Sequence, residues 1–362
     1  MGDALRVGIV GIGNISGQYL ATLPHLDGVR VTAVADLDHA RAVAVADAHE
    51  GVRAAAPAEL LAAADVDLVL NLTVPQAHAE VALAAIAAGK HVYNEKPLAL
   101  TTADGRRVLD AADAAGVRVG CAPDTVLGTG TQTARQRLDA GGIGVPVAAT
   151  AFMVSPGPER WHPSPEFFYR TGGGPLLDMG PYYLTALVTL LGPVRRVSGM
   201  TATPRATRTV GSGPLAGTDF PVEVPTHVTG ALEHANGAVS TLLMSFDVWA
   251  AELPRIEVYG TEGSLSVPDP NGFGGPVRLF HRDSPEWTEV PASAGYRDAG
   301  RGCGVADLAA AIAGGHAHRA SGELALHVLD VMESLLRAAE SGRAEKIEST
   351  CPRPDPMALT GA

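Results

Sequence analysis

Leu5-Arg6-Val7-Gly8-Ile9-Val10-Gly11-Ile12-Gly13-Asn14-Ile15-Ser16 runs from an apolar strand into a glycine turn, Gly11-x-Gly13-x-x-Ser16, and on into residues of helical spacing. The next apolar strand closes on Asp36, which follows Gly13 at close to the usual offset of about 20 residues. A turn of this kind sets backbone N–H groups against a pyrophosphate, and the acid accepts from a ribose 2′-hydroxyl. Ser16 stands where glycine or alanine is usual, so the turn takes its meaning from its context: apolar strand before, helix after, acid at the next strand end. The expected ligand is a dinucleotide held by Gly11, Gly13, Asn14, Ile15 and Asp36. NAD is expected over NADP, because Asp36 repels a 2′-phosphate and the nearest following arginine is Arg41.

Outward from this turn the same alternation continues to about Gly120. Strand-length runs lie near 7–10, 31–35, 67–73, 91–94 and 118–120, with Ala-rich stretches of helical period over 14–24, 38–49, 57–64, 76–88 and 102–115 between them. Strand, helix and strand in repetition predict parallel strands with helical crossovers, an α/β doubly wound sheet whose ligands lie outside the carboxyl ends of its strands. After Pro123 the pattern changes to a helix over 126–140, a strand over 145–154 and a helix over 176–191. Longer β-branched runs follow at 194–202, 222–233, 239–248, 255–259 and 277–281, broken by Asn236-Gly237 and Glu262-Gly263, and helices over 305–314 and 323–341 close the pattern. The expectation is a dinucleotide domain over 1–122 and an α+β domain over 123–362 with a largely antiparallel, open sheet. Arg205–Phe220, rich in Thr, Gly and Pro, reads as a surface loop.

With 362 residues, 46% of them apolar, the chain has enough material for two cores. A net charge of −12 with only isolated basic pairs argues against nucleic acid as a partner. The longest uncharged run beside an apolar helix, 179–194, contains Gly180, Pro181 and Gly192 and is too short and broken for a bilayer; the start of the chain shows no signal-peptide pattern. Cys121, Cys303 and Cys351 show neither disulfide nor zinc-site spacing, so free thiols in a reducing cytoplasm are expected, and no metal.

Lys96, in Asn94-Glu95-Lys96-Pro97, follows the strand run at 91–94 and is expected at the carboxyl edge, where a nicotinamide would lie. A lysine there can shuttle a proton or polarise a carbonyl; a solvated loop lysine is the plainer alternative. Thr73-Val74-Pro75 ends the preceding strand and His78 opens the next helix, so Thr73, Pro75 and His78 are read as cofactor contacts rather than catalysts. Further on, Gly172-Gly173-Gly174 precede Asp178 and Tyr182, which are spaced to share one helix face and are candidates for an acid/base pair; Tyr183 is read as core. Trp161, His162 and Arg170, with Phe167, Phe168 and Tyr169, either contact a sugar or seal a domain junction.

Taken together, Gly11-x-Gly13-Asn14-Ile15, Ala35-Asp36, Thr73-Val74-Pro75-x-x-His78, Gly89-Lys90-His91-Val92-x-x-Glu95-Lys96-Pro97 and Gly173-Gly174-x-Leu176-Leu177-Asp178-Met179-Gly180 resemble the Gfo/Idh/MocA oxidoreductases. The resemblance implies a Rossmann domain followed by an α/β domain whose open sheet forms a dimer or tetramer interface. It also implies oxidation or reduction of a sugar or cyclitol hydroxyl with a pyridine nucleotide. Glu95 and Lys96 then belong to the cofactor site, and Lys96 and Asp178 surround the reacting hydroxyl. The family commonly has a histidine as acid/base where this chain has Tyr182. Three accounts stay open: Tyr182 replaces it, Lys96 acts with Asp178 alone, or turnover is lost. A phenol titrates near 10, so the first account needs Lys96 to lower it. Redox-neutral, NAD-dependent glycoside cleavage and a non-catalytic, nucleotide-sensing regulator are the alternative functions.

Overall fold

The protein is described from a computed structural model over residues 4–361. The described residues form two compact units: those up to Gly128 join Tyr296–Leu329 and Gly361, while Thr129–Gly295 join Asp330–Thr360.

In the first unit, strands β1 (Leu5–Val10), β2 (Val29–Ala35), β3 (Arg53–Ala55), β4 (Leu68–Asn71), β5 (His91–Asn94) and β6 (Val119–Cys121) pair in parallel in the order β3-β2-β1-β4-β5-β6. Helices α1 (Ser16–Thr22), α2 (His39–Ala48), α3 (Pro57–Ala62), α4 (His78–Ala87) and α5 (Thr102–Ala115) connect the strands where helical period predicts them, while the three-residue β3 between α2 and α3 lies outside the strand runs of the sequence pattern. Local chemistry sets their ends: the Asp38 carboxylate accepts from Ala40 N, Thr101 Oγ1 accepts from Asp104 N, and Gly116 ends α5 at φ 67°. The strands are buried on both faces. Val7, Ile9 and Leu70 pack in one core with Tyr19 and Leu20, and Val10, Ala33 and Val92 pack in the other with Leu60 and Ile86. The helix Cys303–Gly314 joins this unit because its Val305, Leu308 and Ala309 complete the first of those cores.

The second unit starts with α6 (Thr129–Asp139), β7 (Pro146–Val154), α7 (Gly174–Leu191) and β8 (Val194–Ala202). It continues through β9 (Thr207–Thr209), β10 (Asp219–Pro221), β11 (His227–His234), β12 (Val239–Ser245), β13 (Ile256–Gly260), β14 (Gly263–Val267), β15 (Val277–His281) and β16 (Ser284–Val290). Its main sheet has the order β16-β15-β14-β13-β7-β12-β11-β8, with Glu345–Lys346 beyond β8. Its pairs are antiparallel apart from β7 with β12. Asn236-Gly237 makes the expected hairpin: Gly237 has φ 91° and Asn236 Oδ1 accepts from Ala238 N at 2.9 Å. α7 lies against β7, β11 and β12, covering the buried Ala149, Ala151, Leu232, Leu242 and Met244.

Arg205–Phe220 is more than a surface loop. It holds the antiparallel pair β9–β10, with Arg208 and Phe220 only 4% and 3% exposed. Three strands of the main sheet also escape the sequence pattern, the two-residue Glu345–Lys346 among them. β14 is a short run between turns, and β16 is exposed at every residue but Val290, so it shows no apolar alternation. Among the described residues no helix is long and apolar enough to cross a membrane.

Candidate active site

The strand order reverses between β1 and β4, so the glycine turn after β1 opens at the switch point of the first sheet. Gly11 sits at φ 99°, and a Cβ there would lie 2.7 Å from the Leu72 carbonyl carbon and oxygen. Only glycine lets β1 turn this close to the end of β4. A Cβ on Gly13 would meet no protein atom within 4 Å, which leaves that side of the turn open to a ligand. Asp36 ends up against the turn: Oδ2 accepts from Ile12 N at 2.7 Å and Oδ1 from Asp38 N at 2.8 Å. A tight turn, an open flank and a fixed carboxylate are what a dinucleotide requires of this edge.

The ends of β4 and β5 are tied into the same edge. Asn71 Nδ2 donates to Asn94 Oδ1 at 3.0 Å and to the His78 carbonyl at 3.1 Å, while Thr73 Oγ1 donates to Asn71 Oδ1 at 2.6 Å. His78 is 1% exposed, with Nδ1 2.6 Å from the Pro97 carbonyl oxygen and Nε2 3.0 Å from that of Thr73. Burial holds its imidazole below the usual histidine range, against the two carbonyls, which favour the charged ring. His78 thus braces the Thr73–Pro75 turn and the loop carrying Lys96 through their backbone.

Glu95 is 8% exposed, and both of its oxygens are used: Oε1 accepts from Tyr19 Oη at 2.8 Å and Oε2 from Lys96 N at 2.9 Å. Burial, and then the Glu95 charge, push the Tyr19 phenol well above its ordinary value, so it remains a donor. Asp124, after β6, is fully buried; its Oδ2 accepts from Gly302 N at 2.8 Å and Gly304 N at 3.1 Å. Burial raises its carboxyl above the usual range, with Arg301 acting in the opposite direction. Tyr19, Asn71, Asn94 and Asp124 were not among the candidates read from the sequence. The two asparagines closing apolar strands were the available signal; Tyr19 and Asp124 carried none.

In the second unit, Asp178 and Tyr182 lie four apart on α7, and Tyr182 is 6% exposed. Gly173 is packed where a Cβ would come within 2.6 Å of the Phe167 carbonyl, so the glycines let the helix start close against the preceding aromatic segment. That segment divides in two. His162 packs edge-on against Trp161, Phe167 and Phe168, with ring centres 5.5, 5.3 and 5.5 Å apart, and Trp161 is 66% exposed. Tyr169 is fully buried and donates to Glu159, whereas Arg170 is exposed and pairs with Glu166. Tyr183 is core, its hydroxyl 3.3 Å from Asp269 Oδ1.

Residues 5–122 match the oxidoreductase family with an NAD-binding Rossmann fold, and residues 131–266 match the GFO/IDH/MocA C-terminal domain. A 1,5-anhydro-D-fructose reductase of Ensifer adhaerens is 30% identical over 300 residues, which cover 80% of this chain and 83% of that one. The chain belongs to the Gfo/Idh/MocA family. It is an NAD-binding oxidoreductase of the dehydrogenase and reductase kind. A second relative, inositol 2-dehydrogenase 3 of Saccharopolyspora erythraea, is 37% identical over 163 residues, covering 44% of this chain and 48% of that enzyme. The fold is shared by an oxidoreductase of Agrobacterium radiobacter solved with NAD+, L-tartaric acid and magnesium, at a TM-score of 0.79 and 20% identity over 95% of this chain and 98% of that one.

Proposed function

We propose that this family member moves a hydride between NAD and the hydroxyl or keto carbon of a sugar, sugar derivative or cyclitol. The observation that carries the reading is one sheet edge. The glycine turn after β1, the Thr73 turn after β4 and the anchored Lys96 loop after β5 all lie at carboxyl ends of adjacent parallel strands. The glycine turn and Asp36 hold the dinucleotide, with Asn14, Ile15, Thr73, Pro75, His78 and Glu95 forming or bracing the remaining contacts. When bound, NAD supplies the hydride acceptor or donor.

The chain's own residues handle the proton and the orientation. Lys96 places its ammonium at the oxygen of the reacting carbon and stabilises the charge that develops there. Asp178 accepts from a substrate hydroxyl, and Tyr182 takes or returns the hydroxyl proton, in the position where the family resemblance implies a histidine. Trp161 and His162 present ring edges and faces to the sugar, and Arg170 donates to its hydroxyls. The relatives named for anhydrofructose and inositol support a polyhydroxylated ring as the substrate class.

The proposal extends to a second copy of the chain docked through the main sheet. Opposite α7, register partners Met200, Thr229, Leu243 and Phe152 form a row across four strands, and Met200 is 75% exposed. Three buried free cysteines suit a cytoplasmic location.

The test is absorbance of reduced nicotinamide while the protein with NAD is offered sugars, cyclitols and glycosides. A substrate-dependent rise that disappears in Lys96→Ala is expected. Tight NAD binding with no rise on any substrate would overturn the reading.

A further inference from the structure

A cavity of about 420 Å³ in the second unit is lined by Arg160, Arg205, Thr207 and Trp249 over a floor of Glu159 and Arg208. The floor is rigid. Arg208, with a 2% exposed side chain, donates to Glu159 Oε1 at 2.7 Å and to Asp247, and its guanidinium lies 5.2 Å from the Tyr169 ring centre. Tyr169 Oη donates to the same Glu159, and Thr226 Oγ1 to Asp247 Oδ2 at 2.6 Å. One buried guanidinium is thereby matched by two carboxylates, and the cavity wall keeps Arg160 and Arg205 as cations with no ion-pair partner among the described residues.

In a chain of net charge −12, this concave spot carries a local positive excess. The excess comes with a flat apolar surface. Arg160 stacks 4.5 Å over the Trp249 ring, while Trp249 is 64% exposed. Stacking fixes the orientation of a planar guanidinium so that its edge can grip an anion, and an exposed indole offers a C–H-binding face to a sugar ring. The volume falls in the range of small-molecule sites, about 300–1,000 Å³.

We propose that this cavity binds a monosaccharide bearing one anionic group, with the anion on Arg160 and Arg205, the ring on Trp249 and a ring hydroxyl on Thr207. A hexuronate and a sugar phosphate share this chemistry. The inference stands apart from the redox reading, because it concerns binding without cofactor or turnover.

The experiment is calorimetric titration of the full-length protein, free of nicotinamide, with D-glucuronate, D-glucose 6-phosphate, D-glucose and inorganic phosphate. At least one acidic sugar is expected to bind about tenfold or more tighter than glucose and than phosphate. Whichever of the two does so identifies the anion as carboxylate or phosphate. Arg160→Gln, Arg205→Gln and Trp249→Ala should each weaken it several-fold, while Arg106→Gln, an exposed change on α5, should leave it unchanged. Equal binding of glucose and both acidic sugars overturns the proposal, as does binding indifferent to both arginine variants. Phosphate alone binding as tightly as the acidic sugars overturns it too, by showing a bare anion patch. Should any variant melt early, Thr207→Val, an exposed isosteric change, must still weaken the acidic sugar.

Discussion

The Tyr19 hydroxyl donates to Glu95 Oε1 across 76 positions of sequence, and the other oxygen of that carboxylate holds the backbone N–H of Lys96. One buried carboxylate therefore connects the helix after the dinucleotide turn to the loop that carries the proposed catalytic lysine. Tyr19→Phe removes the donor and leaves a buried oxygen of Glu95 without it. The expected cost is about 1–3 kcal/mol of stability, read as a lower urea midpoint at unchanged slope. An unchanged midpoint would mean that Glu95 is satisfied elsewhere.

Gly304 faces the same buried region. A Cβ there would stand 2.0 Å from Tyr93 Oη, 2.6 Å from its Cζ and 2.9 Å from Asp124 Cβ. Gly304→Ala should cost about 1–3 kcal/mol or more through overpacking. The Tyr93 hydroxyl is buried without a hydrogen-bond partner among the described residues, so Tyr93→Phe alone should cost little. In the double variant the phenylalanine should recover part of the alanine's penalty. Strictly additive melting changes would contradict the contact.

His234 offers a pH test. It is fully buried, with Nδ1 2.8 Å from the Gly192 carbonyl oxygen and Nε2 2.7 Å from Ser240 Oγ. These partners suit a neutral ring that donates from Nδ1 and accepts at Nε2, and burial depresses its pKa. The folded value lies below the unfolded one of about 6.5, so the unfolded chain takes the proton first. Stability from this group is complete above about pH 6.5 and is lost as pH falls through the folded value. His78, His91 and His318 are depressed by burial with the same sign, while Asp124, raised by burial, works in the opposite sense. The diagnostic is therefore a difference: His234→Gln should lose less unfolding free energy than the parent between pH 7.5 and about 5. Parallel profiles would show that His234 is not held neutral.

The sites legible in the sequence are those whose consequence is local. Asp36 closes a strand and reaches back only to Ile12, and Lys96 follows β5 directly, so a strand pattern alone places both. Long-range pairing defeats such reading. Arg208 lies in a Thr-, Gly- and Pro-rich run that predicts a loop, and its burial depends on Glu159 and Asp247, 49 and 39 positions away. The Tyr19–Glu95 bond is hidden for the same reason. The helix Cys303–Gly314 shows its apolar period plainly, but nothing in that period says which sheet it covers; the structure gives it to the first. β16 is invisible because an edge strand exposed on both faces has no need of apolar residues.

Asp36 makes the cofactor preference testable. Its carboxylate is already fixed by Ile12 N and Asp38 N, and both bonds use it as an acceptor, so it can approach a ribose 2′-hydroxyl but repels a 2′-phosphate. Asp36→Asn removes the charge and keeps one of those acceptors. NADP binding should strengthen by about tenfold or more, one close charge repulsion being worth about 1–2 kcal/mol, while NAD weakens as the hydroxyl loses a charged acceptor. Titrating both dinucleotides into parent and variant, with melting curves to confirm that the turn survives, gives the ratio directly. If the NAD to NADP preference is unmoved in a folded variant, Asp36 serves only to fix the turn, and the discrimination lies elsewhere on this edge.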